Sequence, residues 1–296
     1  MTRILVTGGE GQVGRELVRR AWPEGVEIAA PTRAELDLTD AAAIAAHVGA
    51  GGFSAIINCA AYTAVDKAET EVAQAFAVNA LAPAAFAEAA RTADIPLVHV
   101  STDYVFRGDA DEPYETDAAI DPIGVYGASK AAGEFAVRLG SPRSAIVRTA
   151  WVVSARRANF VKTMLRLGAE RDQLRVVADQ HGAPTFAADL ADALGAIALG
   201  MIADRDAPTG VFHFTNSGPT TWHEFAQAIF GEARALGAKT PTSVEAIATA
   251  DYPTPARRPA YSVLSTRRIE QDYGVVPASW RERLPAIVAE IMEQAT

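Results

Sequence analysis

A doubly wound α/β fold, with a mostly parallel sheet and a smaller interleaved α/β domain, is predicted by the order of apolar runs along the chain. Three observations carry it. Short apolar, β-branched runs recur at Ile4-Leu5-Val6, Ala55-Ile56-Ile57, Leu97-Val98-His99-Val100 and Ala145-Ile146-Val147. Stretches of helical spacing separate them, and the alternation continues past residue 150. A glycine-rich turn, Gly8 to Gly14, stands directly after the first run and opens a helix.

The totals narrow the class. At 296 residues and 49% hydrophobic, the chain can bury one large or two modest domains. A formal net charge of −9 argues against a nucleic-acid or anionic-membrane surface, since both need a basic field. The single cysteine, Cys59, excludes an internal disulfide, and five scattered histidines show no zinc spacing, so no metal is expected. Met1-Thr2-Arg3 leads straight into a strand with no signal-peptide core, and no uninterrupted apolar run reaches membrane-spanning length. A soluble, unprocessed cytoplasmic protein is the expectation.

Ile4-Leu5-Val6 reads as a buried strand, and Thr7-Gly8-Gly9-Glu10-Gly11-Gln12-Val13-Gly14 opens a helix through Arg20. Gly8, Gly11 and Gly14 let the backbone turn tightly, approach a pyrophosphate and pack a helix on the strand. With Gln12 and Val13 between them, they aim the helix N-terminus at an anion. This is the Rossmann-type context for a dinucleotide. The second strand, Val26 to Ala30, is followed by Pro31-Thr32-Arg33 rather than by an acid for a ribose 2′-hydroxyl. Arg33 suits a 2′-phosphate, which favours NADPH and leaves NADH open. Asp37-Leu38 is placed beside the adenine.

A helix near Ala41 to Val48 leads to the third strand, Ala55 to Asn58, which ends in Cys59-Ala60-Ala61-Tyr62. The small residues there leave room for a cofactor at the carboxyl end of a parallel strand. Glu71 to Ala93 is an Ala-rich helical stretch stopped before Pro96, and Leu97 to Val100 is the fourth strand. Ser101-Thr102-Asp103-Tyr104 follows, where an open α/β sheet puts its ligand crevice. The Thr102 hydroxyl is placed to hydrogen-bond a substrate carbonyl. Arg107 to Val125 is a long acidic loop with Pro113 and Pro122, of the kind that covers a ligand.

Tyr126 and Lys130 then lie four residues apart on a helix that runs to about Leu139, so both face the same way. A phenol has a pKa of about 10, and the Lys130 charge is expected to lower it. Tyrosine tuned in this way hands a proton to a carbonyl oxygen while a hydride reaches the carbon. Thr102, Tyr126 and Lys130 are therefore the candidate catalytic set.

Further on, Asn159 to Leu167 and Phe186 to Met201 have helical spacing, with a strand at Leu174 to Val177 between them. Thr221-Trp222-His223-Glu224 is a capping box opening a helix to about Leu236, which makes His223 a first-turn surface residue. Pro241 to Pro259 reads as a loop and Ser279 to Met292 as a last helix. No linker divides the chain. The expected dinucleotide-binding domain is 1–150 with returning segments near 174–203 and 260–270; 151–173, 204–259 and 271–296 form the smaller, substrate-binding domain.

The glycine turn, Asp37-Leu38, Asn58 with its small residues, Ser101-Thr102-Asp103-Tyr104-Val105-Phe106 and Tyr126-x-x-x-Lys130 together resemble the extended short-chain dehydrogenase/reductases. Later motifs narrow the likeness. Arg148-Thr149-Ala150-Trp151-Val152, Asp179 to Thr185, Thr220 to His223 and Tyr252 to Pro259 resemble the dTDP-4-dehydrorhamnose reductases over nearly the whole length. The resemblance implies reduction, with NADPH, of the 4-keto group of a dTDP-linked 6-deoxysugar to give dTDP-L-rhamnose. It places substrate against Thr102, Asp103, Tyr126, Trp151 and Arg258. Trp151 offers a flat face and an indole N–H to a sugar, and Arg257-Arg258 is a basic patch for a diphosphate, with Arg258 the motif position. Sugar-nucleotide dehydratases carry an Asp-Glu pair after the Thr, whereas Tyr104 follows Asp103 here. Another nucleotide-sugar 4-reductase, an epimerase, or a non-catalytic NADP-binding subunit stay open as alternatives. Some family members join two subunits through a metal held by glutamates; Glu16 fits one such position, but Ala188 replaces another. A monomer or a homodimer without a bridging metal is expected.

Overall fold

Ile4, Leu5, Val6, Ile56, Ile57, Leu97 and Val98 are wholly inaccessible to solvent, and burial on both faces commits such runs to the middle of a sheet. In the computed structural model, which describes residues 1–294, they belong to one six-stranded sheet. Its strand order is Gly210–His213, Ser144–Thr149, Leu97–Thr102, Ala55–Asn58, Thr2–Thr7 and Val26–Ala29, and every pairing is parallel. Period-2 alternation then sorts the side chains. Ile4, Val6 and Ile57 meet helices Gln12–Arg19, Ala187–Ala203 and Arg267–Tyr273 through Leu17, Leu190, Leu194 and Ile269. Leu5, Ile56 and Ile146 meet the opposite layer, helices Ala41–Ala50, Ala82–Thr92 and Val125–Gly140, through Ile44, Phe86 and Val137. The chain reverses direction across the sheet between Thr2–Thr7 and Ala55–Asn58, so the crevice opens at their carboxyl ends.

A second core joins helices Phe160–Glu170, Trp222–Ala235 and Trp280–Glu293 through Val161, Phe225, Ile229, Trp280 and Val288. Two placements differ from the sequence reading. Strand Gln173–Val177, expected to return toward the main sheet, pairs in parallel with Ser243–Ile247 instead. Its alternate residues Leu174 and Val176 are buried in the second core. Ser243–Ile247 lies inside the stretch expected to be a loop. The reason is its partner: Val244 and Ile247 gain a strand's burial only once a distant segment lies beside them. Conversely Gly210–His213, expected in the smaller domain, extends the main sheet beside Ser144–Thr149, and Phe212 enters the main core. Residues 295 and 296, the end of the last expected segment, lie outside the described residues.

The Glu71-to-Ala93 stretch is also not one regular helix. Val72–Phe76 passes through a π-turn, Ala77–Leu81, into Ala82–Thr92. Pro83 has no N–H for the Asn79 carbonyl four residues back, and the wider turn relieves the clash. That carbonyl packs against Gly133, where an added Cβ would lie 2.1 Å from it. By length and composition, residues 72–92 could span a bilayer, but half of the most apolar 18-residue window within them is buried inside the molecule.

Candidate active site

At the carboxyl ends of the sheet strands, one cleft of about 1180 Å³ is lined by Gly8, Gly11, Gln12, Val13, Gly14, Arg33, Asp37, Leu38, Ala60, Ala61 and Tyr62. The same cleft reaches Thr102, Asp103, Tyr126, Lys130 and Trp151. Every residue predicted for cofactor or catalysis thus meets in one space, and of the substrate candidates only Arg258 lies elsewhere.

The glycines form a cradle that side chains would fill. Gly8 has φ +71°, and a Cβ there would touch the Ala60 backbone at 3.0 Å; a Cβ on Gly14 would sit 2.1 Å from the Gly8 carbonyl oxygen. Such a tight turn, directed at a helix N-terminus, fits a pyrophosphate. The Gln12 side chain is engaged elsewhere. Its amide donates to the Val152 carbonyl at 3.2 Å, and its Oε1 accepts from Ser154 at 2.9 Å and Asn159 at 3.0 Å. This ties the glycine turn to the 152–159 segment.

Near Arg33 both acids close local turns. Glu35 accepts from the Thr32 N–H and hydroxyl, and Asp37 from the Thr39 N–H and hydroxyl. These bonds hold both carboxyls below the usual range. Arg33 lines the cleft beside them, and neither carboxyl hydrogen-bonds to it. Arg33→Ala is therefore expected to reduce the preference of kcat/KM for NADPH over NADH by roughly tenfold or more, about 1.5 kcal/mol for a charged hydrogen bond. An unchanged ratio would take Arg33 out of the site.

Helix Val125–Gly140 carries Tyr126 and Lys130 on its cleft face, and strand Leu97–Thr102 delivers Thr102. Thr102 donates to Asp103 Oδ1 at 2.9 Å and accepts from the Tyr104 N–H at 3.2 Å, and it lines the cleft beside Tyr126. The Tyr104 ring meets that of Tyr126 edge-on, 5.4 Å between centroids. The expected lowering of the phenol pKa does not occur. Burial pushes Tyr126 up to about 12, with the Thr102 hydroxyl acting against it and Asp103 with it. Lys130 does not counter this: its Nζ donates to the Val100 carbonyl at 2.7 Å, and burial draws it down to about 8. Burial likewise pushes Asp103 up to about 6, against the hydrogen bond from Thr102 to its Oδ1; its buried Oδ2 has no hydrogen-bond partner.

Trp151 has a left-handed backbone, φ +47°, and stacks on Trp222 at 3.5 Å between centroids and 12° between planes. A non-glycine residue held there is strained and needs surrounding structure to keep it. Gly182 supplies room, since a Cβ on it would strike the Trp151 ring at 2.6 Å. Arg258 lines a separate hollow of about 510 Å³ with Arg107 and Arg257. It is not the open cation expected: Nη2 lies 2.9 Å from both Asp66 oxygens, and Nη1 is buried without a hydrogen-bond partner.

Sequence reasoning missed three contributors. Asn79, fully buried on the π-turn, accepts from the Tyr62 N–H at 2.8 Å and donates to the Tyr62 carbonyl and to Ser129, so it fastens the Tyr62 wall of the cleft to the Tyr126 helix. Tyr104 and Trp222 supply the ring contacts just described. Pro83 within a helical stretch was the available signal for Asn79; Tyr104 and Trp222 stood inside motifs already singled out, but their ring partners lie far away in the chain.

The chain matches the family model described as RmlD substrate binding domain over residues 1–293. A dTDP-4-dehydrorhamnose reductase of Aggregatibacter actinomycetemcomitans is 43% identical to it over 98% of this chain and 99% of that protein. The chain belongs to the dTDP-4-dehydrorhamnose reductase family. Solved members of the dTDP-4-dehydrorhamnose reductase family share the whole architecture. The enzyme of Clostridium acetobutylicum and that of Bacillus anthracis, the latter in complex with NADP, each superpose with a TM-score of 0.90 at 37% identity. Each comparison covers 98% of this chain and all of the other.

Proposed function

We propose that the chain reduces the 4-keto group of dTDP-4-dehydro-6-deoxy-L-mannose with NADPH, giving dTDP-L-rhamnose. One observation supports it most: the glycine cradle, Arg33 and the Thr102–Tyr126–Lys130 set open into a single cleft in a chain of this family. NADPH, when bound, supplies the hydride. Gly8, Gly11, Gly14, Arg33, Asp37, Leu38, Ala60, Ala61 and Tyr62 would hold it.

Tyr126 then provides the proton. A phenol raised to about 12 is fully protonated at neutral pH, which is the form an acid needs before the carbonyl oxygen becomes basic. Thr102 bonds the same oxygen and the phenol together. Lys130, at about 8, is mostly charged at neutral pH and stands as the positive group beside the developing oxyanion. Trp151, backed by Trp222, offers its ring to the sugar, and Asp103 a carboxyl to a sugar hydroxyl. Arg258 is assigned to the diphosphate, with Asp66 fixing the guanidinium plane. We assign the smaller lobe, built on the second core, to substrate binding, and the reaction to the cytoplasm. No bridging metal enters this reading: Glu16 lies 3.9 Å from Arg156, which also pairs with Glu290 at 3.1 Å.

The test offers the purified protein NADPH with a panel of 4-keto nucleotide sugars and identifies products by mass spectrometry and NMR. Oxidation of NADPH with a single product of rhamno configuration is expected. In the same assay Arg258→Ala is expected to raise KM for the nucleotide sugar roughly thirtyfold, about 2 kcal/mol for one charge-assisted pair, with cofactor affinity unchanged. A protein that binds NADPH and oxidises it with none of the panel would move the reading to a non-catalytic subunit.

A further inference from the structure

We infer that Glu134 is a positioning residue for the Thr102–Tyr126–Lys130 set: with Arg148 it fastens the lysine turn of the helix to the threonine end of the strand, and it is the counter-charge of Lys130. This deepens the proposed reading, in which Lys130 acts as a cation.

Glu134 is 0% and Arg148 1% exposed. Their forks meet in two bonds, Nε to Oε1 at 2.9 Å and Nη2 to Oε2 at 2.6 Å. Ser101 donates to the same Oε1 at 2.5 Å. The carboxylate therefore grips the residue next to Thr102 while standing one helical turn after Lys130 and two turns after Tyr126. Arg148 extends the grip. Its Nη1 donates to the Thr116 carbonyl in the long acidic loop at 3.3 Å, approaches His213 at 3.5 Å, and its guanidinium lies 4.9 Å from the Phe106 ring centre. One ion pair thus joins the catalytic helix, two sheet strands and that loop.

Packing alone does not require charge at this point. A buried ion pair is commonly replaced by apolar residues of similar volume without loss of stability. The groups facing Lys130 show what the charge is for. From its own helix come Tyr126 and Glu134; Cys59 faces it from the end of the third strand, and His99 and the Val100 carbonyl from the fourth. Cys59 is pushed up to about 12 by burial and His99 is held well below its usual value, so both are neutral. Tyr126 also keeps its proton. Glu134 is the remaining anion, and it opposes the burial that draws Lys130 down.

The experiment compares the parent with Glu134→Gln, Ser101→Ala, and the double variant Glu134→Leu with Arg148→Met. The first readout is the titration of Lys130 by 13C NMR of labelled lysines, simple in a chain with only Lys67, Lys130, Lys162 and Lys239 and assigned with Lys130→Arg. It needs no substrate. The second is kcat and KM across pH. Glu134→Gln and the double variant are expected to lower the Lys130 midpoint by about one unit or more, and the alkaline limb of kcat with it. Ser101→Ala should leave the midpoint in place and reduce kcat with KM unchanged. If Glu134→Gln fails to fold, the double variant still decides, because it removes the Arg148 guanidinium together with its carboxylate partner and leaves Lys130 as the charge under test. Parent-like Lys130 titration and parent-like kcat at every pH in the double variant would overturn the inference and reduce Glu134 to packing. A parent that turns over no substrate would count against the proposed function, while the NMR titration would still judge Glu134.

Discussion

Replacing Tyr126 by phenylalanine is expected to lower kcat by about 10² to 10⁴, the range for loss of general-acid assistance, while NADPH binds as before. The substitution removes one hydroxyl and keeps the ring that packs edge-on against Tyr104. Folding and cofactor affinity should follow the parent. Cofactor titration by fluorescence and steady-state kinetics on one preparation separate the two effects. Because the phenol sits near 12, its removal should not introduce a new limb near neutral pH. Near-parent turnover of Tyr126→Phe would mean that another group delivers the proton, and Thr102 would be examined next.

Gly14→Ala is expected to have the second large effect, on binding rather than on chemistry. Its added methyl would meet the Gly8 carbonyl oxygen at 2.1 Å, the Gly8 carbonyl carbon at 2.7 Å and Gly9 Cα at 2.8 Å. All three are backbone atoms, so no rotamer can yield. The turn must open, and overpacking of this kind costs about 1 to 3 kcal/mol in stability. NADPH affinity should fall by about a hundredfold, about 2.7 kcal/mol, as the phosphate cradle loses its shape. Gly49→Ala is the control: it sits in helix Ala41–Ala50 with nothing within 4 Å of the new Cβ, so stability should hold or rise slightly. Parent-like NADPH binding in Gly14→Ala would show that the turn is not the phosphate site.

The parts of the site that were legible in the sequence are those fixed by local spacing. A strand, a glycine turn and a helix name the cradle within eighteen residues, Thr2 to Arg19, and Tyr126 with Lys130 share a helix face whatever surrounds them. What depends on distant partners was not legible. Ser243–Ile247 becomes a strand only beside Gln173–Val177, seventy residues earlier. Glu134 reads as an ordinary helix acid until strand Ser144–Thr149 brings Arg148 to it. Arg258 reads as an open cation until Asp66 meets it from across the chain. The Tyr126 pKa was misread for the same reason: a neighbouring lysine is visible in sequence, whereas burial is a property of the assembled site.

The interleaving of the two cores bears on how this chain emerges from a ribosome. Once residues 1–150 are synthesised, five of the six central strands exist, but the face carrying Ile4, Val6, Ile57 and Val98 awaits Leu190, Leu194, Ile197 and Ile269. More than a hundred further residues must appear before that face is closed, and translation at about 5–20 residues per second makes the delay at least several seconds. During that interval the nascent chain presents an apolar sheet surface and an unpaired Ser144–Thr149 edge, later taken by Gly210–His213. Both are adhesive. Holdase chaperones and slow codons downstream of residue 150 would therefore act on this protein's yield through a face that the finished molecule never shows.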